Sequence, residues 1–416
     1  MRILLVAYFF PPTRDTGAQR PAAMAKYLTR LGHQVTVLST GAFGEGGEPE
    51  GVEVIRAADA QTIRARRSEA GRVRSLFESD TYSGRPHPLS YVAVPEPLVA
   101  AWAPFARHAA LRAHKRNRFD AVLTTSPPES VHLIGRAMRR RGVPWVADIR
   151  DAWSFEPLRP RFPLALQRRA DLALERRWLG GADRIVCVSE PAAADLRTRG
   201  IAAAERISVI TNAWDPDSDP DAADLDAGAA LLDQERVSLL YTGRFGSYGR
   251  DPVGLIEGLI RLARSRPADA GRLEVAIAGP LTPAEREQFA SVPAPIRLTL
   301  LGSLERARAL SLQRHADALL LIAQPTRSQL LNFKLFEYLA AGRAILPLCA
   351  GTEAGRIVDQ LGAGPAIAAN DPVAITAALG QLLDGELQPP RREAADRYRY
   401  PAAAEQMAAV LAEARG

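Results

Sequence analysis

Short apolar runs alternate along the chain with polar loops and with stretches of helical spacing. The first run, 2–8, is almost continuously apolar, as expected of a strand buried on both faces of a parallel sheet. A loop over 9–17, a helix over 18–31 and a strand over 34–39 follow it. This order predicts a βαβ unit that opens an α/β domain.

The same alternation continues to the end of the chain. It predicts further strands over 51–56, 119–125, 143–148, 184–189, 206–211, 237–242, 273–278, 296–301, 317–322 and 344–348. It predicts further helices over 96–116, 130–141, 163–179, 190–198, 252–264 and 398–415. Strands that alternate with helices in this way indicate an α/β fold with parallel sheets.

The length of 416 residues exceeds what one ordinary hydrophobic core serves. The acidic segment 215–226 interrupts the alternation and is the best linker candidate. We therefore predict a Rossmann-like domain over 1–214, a linker over 215–235 and a second Rossmann-like domain over 236–395. We expect the two domains to face each other across a cleft, where ligands bind at the carboxyl ends of the strands.

Two polar segments are harder to interpret. The segment 61–84 is polar and Arg-rich; a solvated excursion is our preferred interpretation, and contact with an acceptor or a membrane surface is the alternative. Asp217 and Asp219 resemble a metal-binding DxD motif. They lie in an acidic run rather than at the end of an apolar strand, so we expect no metal there. The six histidines also lack metal-ligand spacing.

The net charge of +6 suits anionic partners such as nucleotide sugars or acidic lipid headgroups. The alternative is that the charge is only a by-product of an Arg-rich genome. The basic residues are scattered, which argues against nucleic-acid binding.

Cys187 and Cys349 lie in apolar runs and are expected to be buried thiols in a reducing cytosol. Since no apolar run reaches spanning length, we expect any membrane contact to be peripheral.

The stretch 329–342 combines the start and stop signals of a helix with a candidate anion site. Asn332 suits the N-cap and Gly342 the left-handed position after the end. Lys334 and Glu337 would share one face near the N-terminus, where free N–H groups and an ammonium suit a phosphate. Only three of the 53 basic residues are lysines. A lysine in the first turn of this helix therefore favours a site that needs a compact, rotatable positive charge rather than a planar guanidinium. A solvated Lys–Glu pair is the alternative.

A glycine-rich loop over 243–250 connects a predicted strand to a predicted helix. Gly246 and Ser247 would offer backbone N–H groups to a phosphate, and Arg244 would bind it through two hydrogen bonds. The loop does not match the P-loop pattern, and a plain glycine-rich turn is the alternative. Gly17, before the first helix, would likewise permit close approach of a ligand or form an ordinary turn.

Charged residues gather at the end of the strand 143–148. Asp148, Arg150 and Asp151 lie there with Trp153, and charges at such a place are costly unless they bond to something. We favour a functional site over a buried Arg–Asp brace.

Taken in order, these motifs resemble retaining GT-B glycosyltransferases, specifically glycosyltransferase family 4. At the start of the chain, the motifs that resemble the family are YFFPP, Gly17 and LGHQVTV. Later in the first domain they are TTSPP, WVADIRDAW, ADRIVCVS and SVITN. The WVADIRDAW motif looks typical of a branch that makes bacterial surface polysaccharides. The second domain resembles the family in YTGR, ending at Arg244, and in KLFEYLAAG, ending at Gly342.

The resemblance implies a GT-B fold whose C-terminal helix, 396–416, crosses back to the first domain. It implies that the second domain binds a nucleotide-diphosphate sugar and that Glu337 holds the ribose hydroxyls. Gln329 stands where the family often has a glutamate. The implied donor-side residues are Gly17, Gly243, Arg244, Gly246, Ser247, Arg250, Gln329, Leu331, Asn332, Lys334 and Glu337.

The resemblance also assigns Ser126, Asp148, Arg150, Asp151 and Trp153 to the acceptor side. The expected catalytic residues are Arg244, Lys334 and Asp151, and no metal or other cofactor is expected because the protein supplies the cations.

The implied function is retaining transfer of a sugar from a nucleotide-diphosphate donor to a hydroxyl acceptor, in the synthesis of surface polysaccharides, glycolipids or glycosylated metabolites. The expected location is the cytoplasm, with peripheral contact to the inner face of the plasma membrane left open. The alternatives are a sugar-nucleotide 2-epimerase of the same fold and a non-catalytic nucleotide-sugar-binding subunit.

Overall fold

The computed structural model of the chain describes residues 1–13, 15–60, 93–154, 162–218, 228–246, 250–325, 331 and 333–416. The chain forms two compact units. The first contains Met1–Asn212 and Tyr400–Gly416, and the second contains Ala213–Arg399. The predicted segment 61–84 lies outside the described residues, and the predicted linker lies partly outside them.

The first unit contains a seven-stranded parallel sheet. Its strands are β1 Arg2–Ala7, β2 Gln34–Thr40, β3 Glu53–Ala57, β4 Ala121–Ser126, β5 Trp145–Ile149, β6 Arg184–Cys187 and β7 Ile207–Val209. Their order is β3-β2-β1-β4-β5-β6-β7. The central strand β1 is buried on both faces, with Ile3 through Ala7 at most 1% exposed, which explains its continuous apolar sequence.

The helices of the first unit cover this sheet. They are α1 Gln19–Arg30, α2 Ala103–Asn117, α3 Val131–Arg139, α4 Ala165–Leu179 and α5 Glu190–Thr198, with a short helix Leu98–Ala101 before α2. The single helix predicted over 96–116 is therefore two helices, separated at Trp102. The Trp102 side chain is fully buried in the core, so packing fixes the position of the break.

The second unit contains a five-stranded parallel sheet. Its strands are β8 Val237–Thr242, β9 Leu273–Ala278, β10 Arg297–Gly302, β11 Ala318–Ile322 and β12 Ala344–Leu348. Their order is β10-β9-β8-β11-β12. Successive side chains point to opposite faces: Leu239 and Tyr241 pack in the core on one face, and Leu240 packs on the other.

The helices of the second unit are α6 Val253–Ser265, α7 Pro283–Phe289, α8 Arg306–His315, α9 Phe333–Ala341, α10 Glu353–Gln360 and α11 Pro372–Leu383, with short helices Pro267–Ala270 and Arg392–Ala395. Every predicted strand of the chain is present, but α7, α8, α10 and α11 were not predicted. A signal for α7 was available, because Thr282 and Glu285 form a capping box at its start.

The last helix, α12 Ala402–Glu413, belongs to the first unit and packs on α1. Tyr400 stacks on Tyr27, with ring centroids 4.9 Å apart. The C-terminal segment thus crosses back to the first unit, as the resemblance implied.

The described helices include none with the length and apolar character needed to cross a membrane. Cys187 and Cys349 are buried and form no disulfide, as predicted. Burial raises the pKa of both thiols to about 12, so they remain protonated near neutral pH.

Candidate functional site

The ends of β8 and β9 lie unusually close together in the second unit. Gly243 follows β8 with a φ of 117°, and its N–H donates to the Ala278 carbonyl at 2.7 Å. A Cβ on Gly279 would collide with the Gly243 carbonyl oxygen. Glycine is therefore required at Gly243 because of its positive φ, and at Gly279 because the two backbones approach closely.

The Lys334 side chain lies against this strand end. Lys334 is in the first turn of α9, and a Cβ on Gly243 would collide with its Nζ. The ammonium is also 5.9 Å from the ring centroid of Tyr241. Burial and the positive charge of Arg250 lower the pKa of Lys334 to about 8, although the negative charge of Glu337 opposes them. The site thus holds a cation that is poorly solvated and repelled by a second cation.

Arg244 and Arg250 lie after β8, and the charge of Arg250 acts on Lys334. Arg244, Arg250 and Lys334 are together called the cationic cluster, which Arg244 joins through its backbone. The Arg244 carbonyl accepts hydrogen bonds from Arg250 Nη1 at 3.2 Å and from Tyr241 Oη at 2.7 Å. These bonds hold the Arg244 backbone next to Arg250 and Tyr241. Among the described residues, none forms a hydrogen bond or ion pair with the half-buried Arg244 guanidinium, which leaves its donors available to an anion.

The helix α7 holds the loop from the other side. Glu285 Oε1 accepts from the Gly246 N–H at 2.8 Å, while Oε2 accepts from the Thr282 N–H at 2.8 Å. Our expectation that Gly246 offers its N–H to a phosphate is therefore wrong for this arrangement, because Glu285 already uses that donor. Ser247 lies outside the described residues, so its predicted role stays a prediction.

Glu337 has a partner that the sequence did not reveal. Arg306, at the start of α8, places Nη1 2.6 Å from Glu337 Oε1. The Glu337 side chain is 14% exposed and that of Arg306 is 45% exposed. Helix α8 itself was missed, so nothing in the sequence analysis pointed to Arg306. The pair fixes the carboxylate of Glu337 near the surface of the unit.

The remaining donor-side predictions have mixed outcomes. Leu331 is 7% exposed and packs in the core, so its side chain supports α9 rather than facing a ligand. Gly342 has a φ of 65°, as predicted for the position after the helix. Gln329 and Asn332 lie outside the described residues.

Asp217 and Asp219 form the DxD-like pair at which we expected no metal. The Asp217 N–H donates to Asp215 Oδ1 at 3.0 Å, and Asp219 lies outside the described residues. Within the described part of the chain, no three His, Cys, Asp or Glu side chains gather in a group that could hold a metal ion.

In the first unit, Arg150 connects the loops after β1 and β4. Its Nε donates to the Ser126 carbonyl and its Nη2 to the Pro127 carbonyl, each at 2.9 Å, and its Nη1 donates to the Gly17 carbonyl. Asp15 Oδ1 accepts from the Gly17 N–H at 2.6 Å. Arg150 therefore shapes the edge of the sheet where Gly17 lies.

Asp148 is a structural brace and not an acceptor-side residue as expected. Its carboxylate pairs with Arg20 of α1 at 2.9 Å, with both side chains 3% exposed, and it also accepts from Thr125 Oγ1 at 2.8 Å. Arg20 in turn donates to the carbonyls of Ile210 and Thr211. The brace that we considered for this strand tip exists, with Arg20 in place of Arg150.

Trp153 and Ser126 are also buried rather than positioned to contact an acceptor, since each is 2% exposed. Trp153 Nε1 donates to Asp171 Oδ1 at 2.9 Å, and its ring packs edge-on against Trp178. The expectation that these two side chains line an acceptor surface is wrong. Asp151, by contrast, is exposed.

Comparison with known proteins agrees with this architecture. Residues 19–218 match Glycosyltransferase Family 4, whereas no curated protein sequence matches the chain. Among solved structures, sucrose-phosphate synthase from Thermosynechococcus elongatus has a TM-score of 0.65 at 16% identity, covering 99% of this chain and 98% of that one. HepE from Anabaena, in complex with UDP-glucose, has a TM-score of 0.60 at 15% identity. The match covers 99% of this chain and 100% of that one.

The lipopolysaccharide-biosynthesis glycosyltransferase WaaG has a TM-score of 0.57 at 14% identity, covering 99% of this chain and 98% of that one. At these identities the likeness establishes the fold, which is that of GT-B glycosyltransferases over the whole chain. Residues 19–218 are in addition similar to Glycosyltransferase Family 4.

Proposed function

We propose that this enzyme transfers a sugar from a nucleotide-diphosphate donor to a hydroxyl acceptor, with retention of the anomeric configuration and without a metal ion. The observation that carries the proposal is the cationic cluster of Arg244, Arg250 and Lys334 beside Gly243. HepE, which has the same fold, is described in complex with UDP-glucose. A diphosphate would bring negative charge to these three cations.

The cluster suits the charge that develops on a diphosphate leaving group. As the bond to the sugar breaks, negative charge accumulates on the phosphate oxygens, and fixed cations stabilise that charge without reorganising. Arg244 has free donors for two-point binding. Lys334 carries a compact charge in a buried environment, where electrostatic interactions are stronger than in water.

Glu337 would accept hydrogen bonds from the ribose hydroxyls of the donor. Its ion pair with Arg306 at 2.6 Å orients the carboxylate. Only one carboxylate oxygen is used in that pair, so the other remains for a hydroxyl donor.

In the proposed reaction, the donor sugar passes through an oxocarbenium-like species. The acceptor hydroxyl attacks from the face that the diphosphate leaves, and the departing phosphate takes its proton. Asp151 is the acceptor-side residue of the first unit that we propose to contact the incoming hydroxyl. The acceptor class is a glycan, a lipid-linked sugar or a small hydroxylated metabolite, and the reaction takes place in the cytoplasm.

A thermal-shift screen with UDP, GDP, dTDP and ADP tests the donor site, because a bound nucleotide stabilises the fold by mass action. We expect one nucleotide to raise the melting temperature of the wild type and to have a much smaller effect on Arg244→Ala. In turnover, Arg244→Ala should lose about 2–4 kcal/mol of transition-state stabilisation, by analogy with the loss of one oxyanion donor.

Three results would contradict the proposal. An activity loss below about tenfold in Arg244→Ala would remove that residue from its role. Turnover that stops with a chelator and returns with manganese would show that a metal neutralises the diphosphate. Consumption of the nucleotide sugar without any acceptor would indicate a 2-epimerase.

A further inference from the structure

Three polar side chains are buried together where β8 ends in the second unit. They are Gln313 of α8, Thr242 of β8 and Tyr338 of α9, and they lie on the face of the sheet where Leu240 packs. Gln313 Nε2 donates to Thr242 Oγ1 at 3.0 Å, and Tyr338 Oη accepts from the Thr242 N–H at 3.2 Å. The hydroxyl oxygens of Thr242 and Tyr338 are 3.3 Å apart. These three residues are called the buried polar network.

The network lies where the second sheet has its topological switch point. The chain builds this sheet from β8 outward through β9 and β10 and then returns to the other side of β8 with β11. Ligands of open α/β sheets bind outside the carboxyl ends of the strands at such a point. Among the described residues, β11 pairs with β8 at Leu239 and Leu240 only, although β8 continues to Thr242. Tyr338 thus supplies an acceptor for the Thr242 N–H beyond the last pair.

Two members of the network are directly connected to the proposed diphosphate site. Tyr338 follows Lys334 by four residues, so the two side chains lie on one face of α9, one turn apart. Thr242 is followed by Gly243, against which the Lys334 ammonium packs. The hydrogen bond between Tyr338 and the Thr242 backbone therefore holds the first turns of α9 at the end of β8.

The third member connects the network to α8. Gln313 follows Arg306 by seven residues, which is two turns, so both side chains lie on one face of that helix. Arg306 pairs with Glu337 of α9 near the surface, while Gln313 bonds to Thr242 in the interior. Salt screens exposed charges far more than it weakens buried contacts. The buried bond therefore fixes the position from which Arg306 reaches Glu337.

Fold stability alone gives no reason for an amide at position 313. Gln313 is 1% exposed, and within the described part of the chain its Oε1 has no hydrogen-bond partner. A buried polar group with an unused acceptor costs free energy relative to an apolar side chain of similar shape. This cost points to a role of the Nε2 donor other than stabilising the fold.

We propose that the buried polar network positions Lys334 and Glu337 for the nucleotide diphosphate, which makes Gln313, Thr242 and Tyr338 positioning residues of the donor site. The inference rests on the proposed function, which it deepens. Directional hydrogen bonds specify one arrangement of helix and strand. Without them, the cation and the carboxylate have to be ordered when the ligand binds, which lowers affinity.

Calorimetric titration of the full chain with UDP, GDP, dTDP and ADP, together with urea unfolding, tests the proposal. Tyr338→Phe and Thr242→Val each remove a hydroxyl and nearly keep the shape of the side chain. With the nucleotide that the wild type binds most tightly, each should lose about tenfold in affinity, the equivalent of one buried hydrogen bond. Thr242→Ser keeps the hydroxyl and should bind within about twofold of the wild type.

Ser238→Ala is the matched control at the opposite end of β8. Ser238 is buried, and its Oγ donates to Asp317 Oδ2 at 2.8 Å, so this variant also loses a buried hydrogen bond. Its urea midpoint should fall as that of Thr242→Val does, while its nucleotide affinity should stay at the wild-type value. Gln313→Met should show the reverse, with an unchanged or higher urea midpoint and weaker nucleotide binding.

The pH profile of the affinity distinguishes positioning from a general loss of stability. Lys334 lies near the Tyr241 ring and the charges of Arg250 and Glu337, and its pKa is about 8. Burial raises the pKa of Tyr338 to about 12, so that hydroxyl stays protonated while Lys334 titrates. In Tyr338→Phe the ammonium should gain access to water, which raises the pKa of Lys334 toward 10.5. The fall in affinity should then move to higher pH by about one unit or more.

The outcomes separate the two proposals. A wild type that binds none of the four nucleotides would overturn the proposed function and this inference together. If the wild type binds one of them and Tyr338→Phe and Thr242→Val bind it equally well, the proposed function stands and the inference is overturned. Equal weakening in Ser238→Ala would overturn the inference as well, because affinity would then follow fold stability, and so would an unchanged pH profile in Tyr338→Phe.

Discussion

Lys334 is a buried cation at the centre of the proposed donor site. Its ammonium is buried beside Gly243 and repelled by Arg250, so its pKa falls from 10.5 to about 8. The folded protein therefore holds a charge that it solvates poorly. A diphosphate would reverse this penalty, which ties the stability of the unit to ligand binding.

The first prediction is that Lys334→Met stabilises the protein at pH 7. Between pH 8 and 10.5 the unfolded state binds more protons than the folded state, so the free energy of unfolding of the wild type rises with pH in that window. Below pH 8 the penalty is fully present. Urea unfolding should show a gain of about 1–3 kcal/mol for Lys334→Met at pH 7 and a smaller gain at pH 10. A loss of stability at pH 7 would contradict it.

The second prediction concerns the pH dependence of nucleotide affinity. In the proposed function the protonated form of Lys334 binds the diphosphate, and the pKa of Lys334 is about 8. Affinity should therefore fall as the pH rises through 8, by up to about tenfold per pH unit above it. Calorimetric titration with the nucleotide from pH 6.5 to 9.5 measures this. Lys334→Met should bind more weakly with no such dependence, and an equal dependence in both proteins would refute the assignment.

At the scale of elements, the glycine-rich loop depends on a helix that is distant in sequence. Glu285 of α7 uses one carboxylate oxygen to cap its own helix and the other to hold the Gly246 N–H. Helix formation and loop position are thus linked through one side chain. The backbone at Gly246 is held in place because α7 is folded, which reduces the cost of ordering that residue when an anion binds.

The third prediction separates these two tasks of Glu285. Thr282→Ala and Glu285→Ala both remove one half of the capping box, and each should cost about 1 kcal/mol of stability. Only Glu285→Ala also releases the loop, so only that variant should weaken nucleotide affinity appreciably. Denaturant unfolding and calorimetry on the same pair of variants measure both effects. Similar affinities in the two variants would show that the contact with Gly246 has no role in binding.

At the scale of the whole molecule, the chain contains two units with separate hydrophobic cores. The Arg20–Asp148 pair connects α1, β5 and the carbonyls after β7 inside the first unit. It has no part in the donor site of the second unit. Stability and donor binding should therefore respond independently to changes in the two units.

The fourth prediction is that Arg20→Met destabilises the first unit by about 3–5 kcal/mol, because it leaves the buried Asp148 carboxylate without its partner. Scanning calorimetry should show a lower unfolding temperature for one transition, while the stabilisation by nucleotide persists. Arg139→Met is the control, since its pair with Asp183 is exposed and should cost less than about 1 kcal/mol. If nucleotide no longer raised the unfolding temperature of Arg20→Met, then donor binding in the second unit would depend on the stability of the first unit.

The sequence analysis was most accurate where a property depends on neighbouring residues. Every predicted strand is present, and the central strands were identified by continuous apolar runs, which are typical of strands buried on both faces. It was least accurate where a side chain could choose among distant partners. Asp148 was assigned to an acceptor site because its charge at a strand tip was visible, but its partner Arg20 lies 128 residues away.

The sequence by itself determined the strands of both halves, the glycine positions after β8 and α9, and the resemblance to a family with the GT-B fold, since these follow from local spacing and from ordered motifs. Only the tertiary structure decided that Lys334 packs against Gly243, that Arg306 pairs with Glu337, and that the buried polar network forms at the end of β8. The physical reason is that the free energy of a charged side chain depends on its burial and on its partners, and folding brings those partners together from distant parts of the chain.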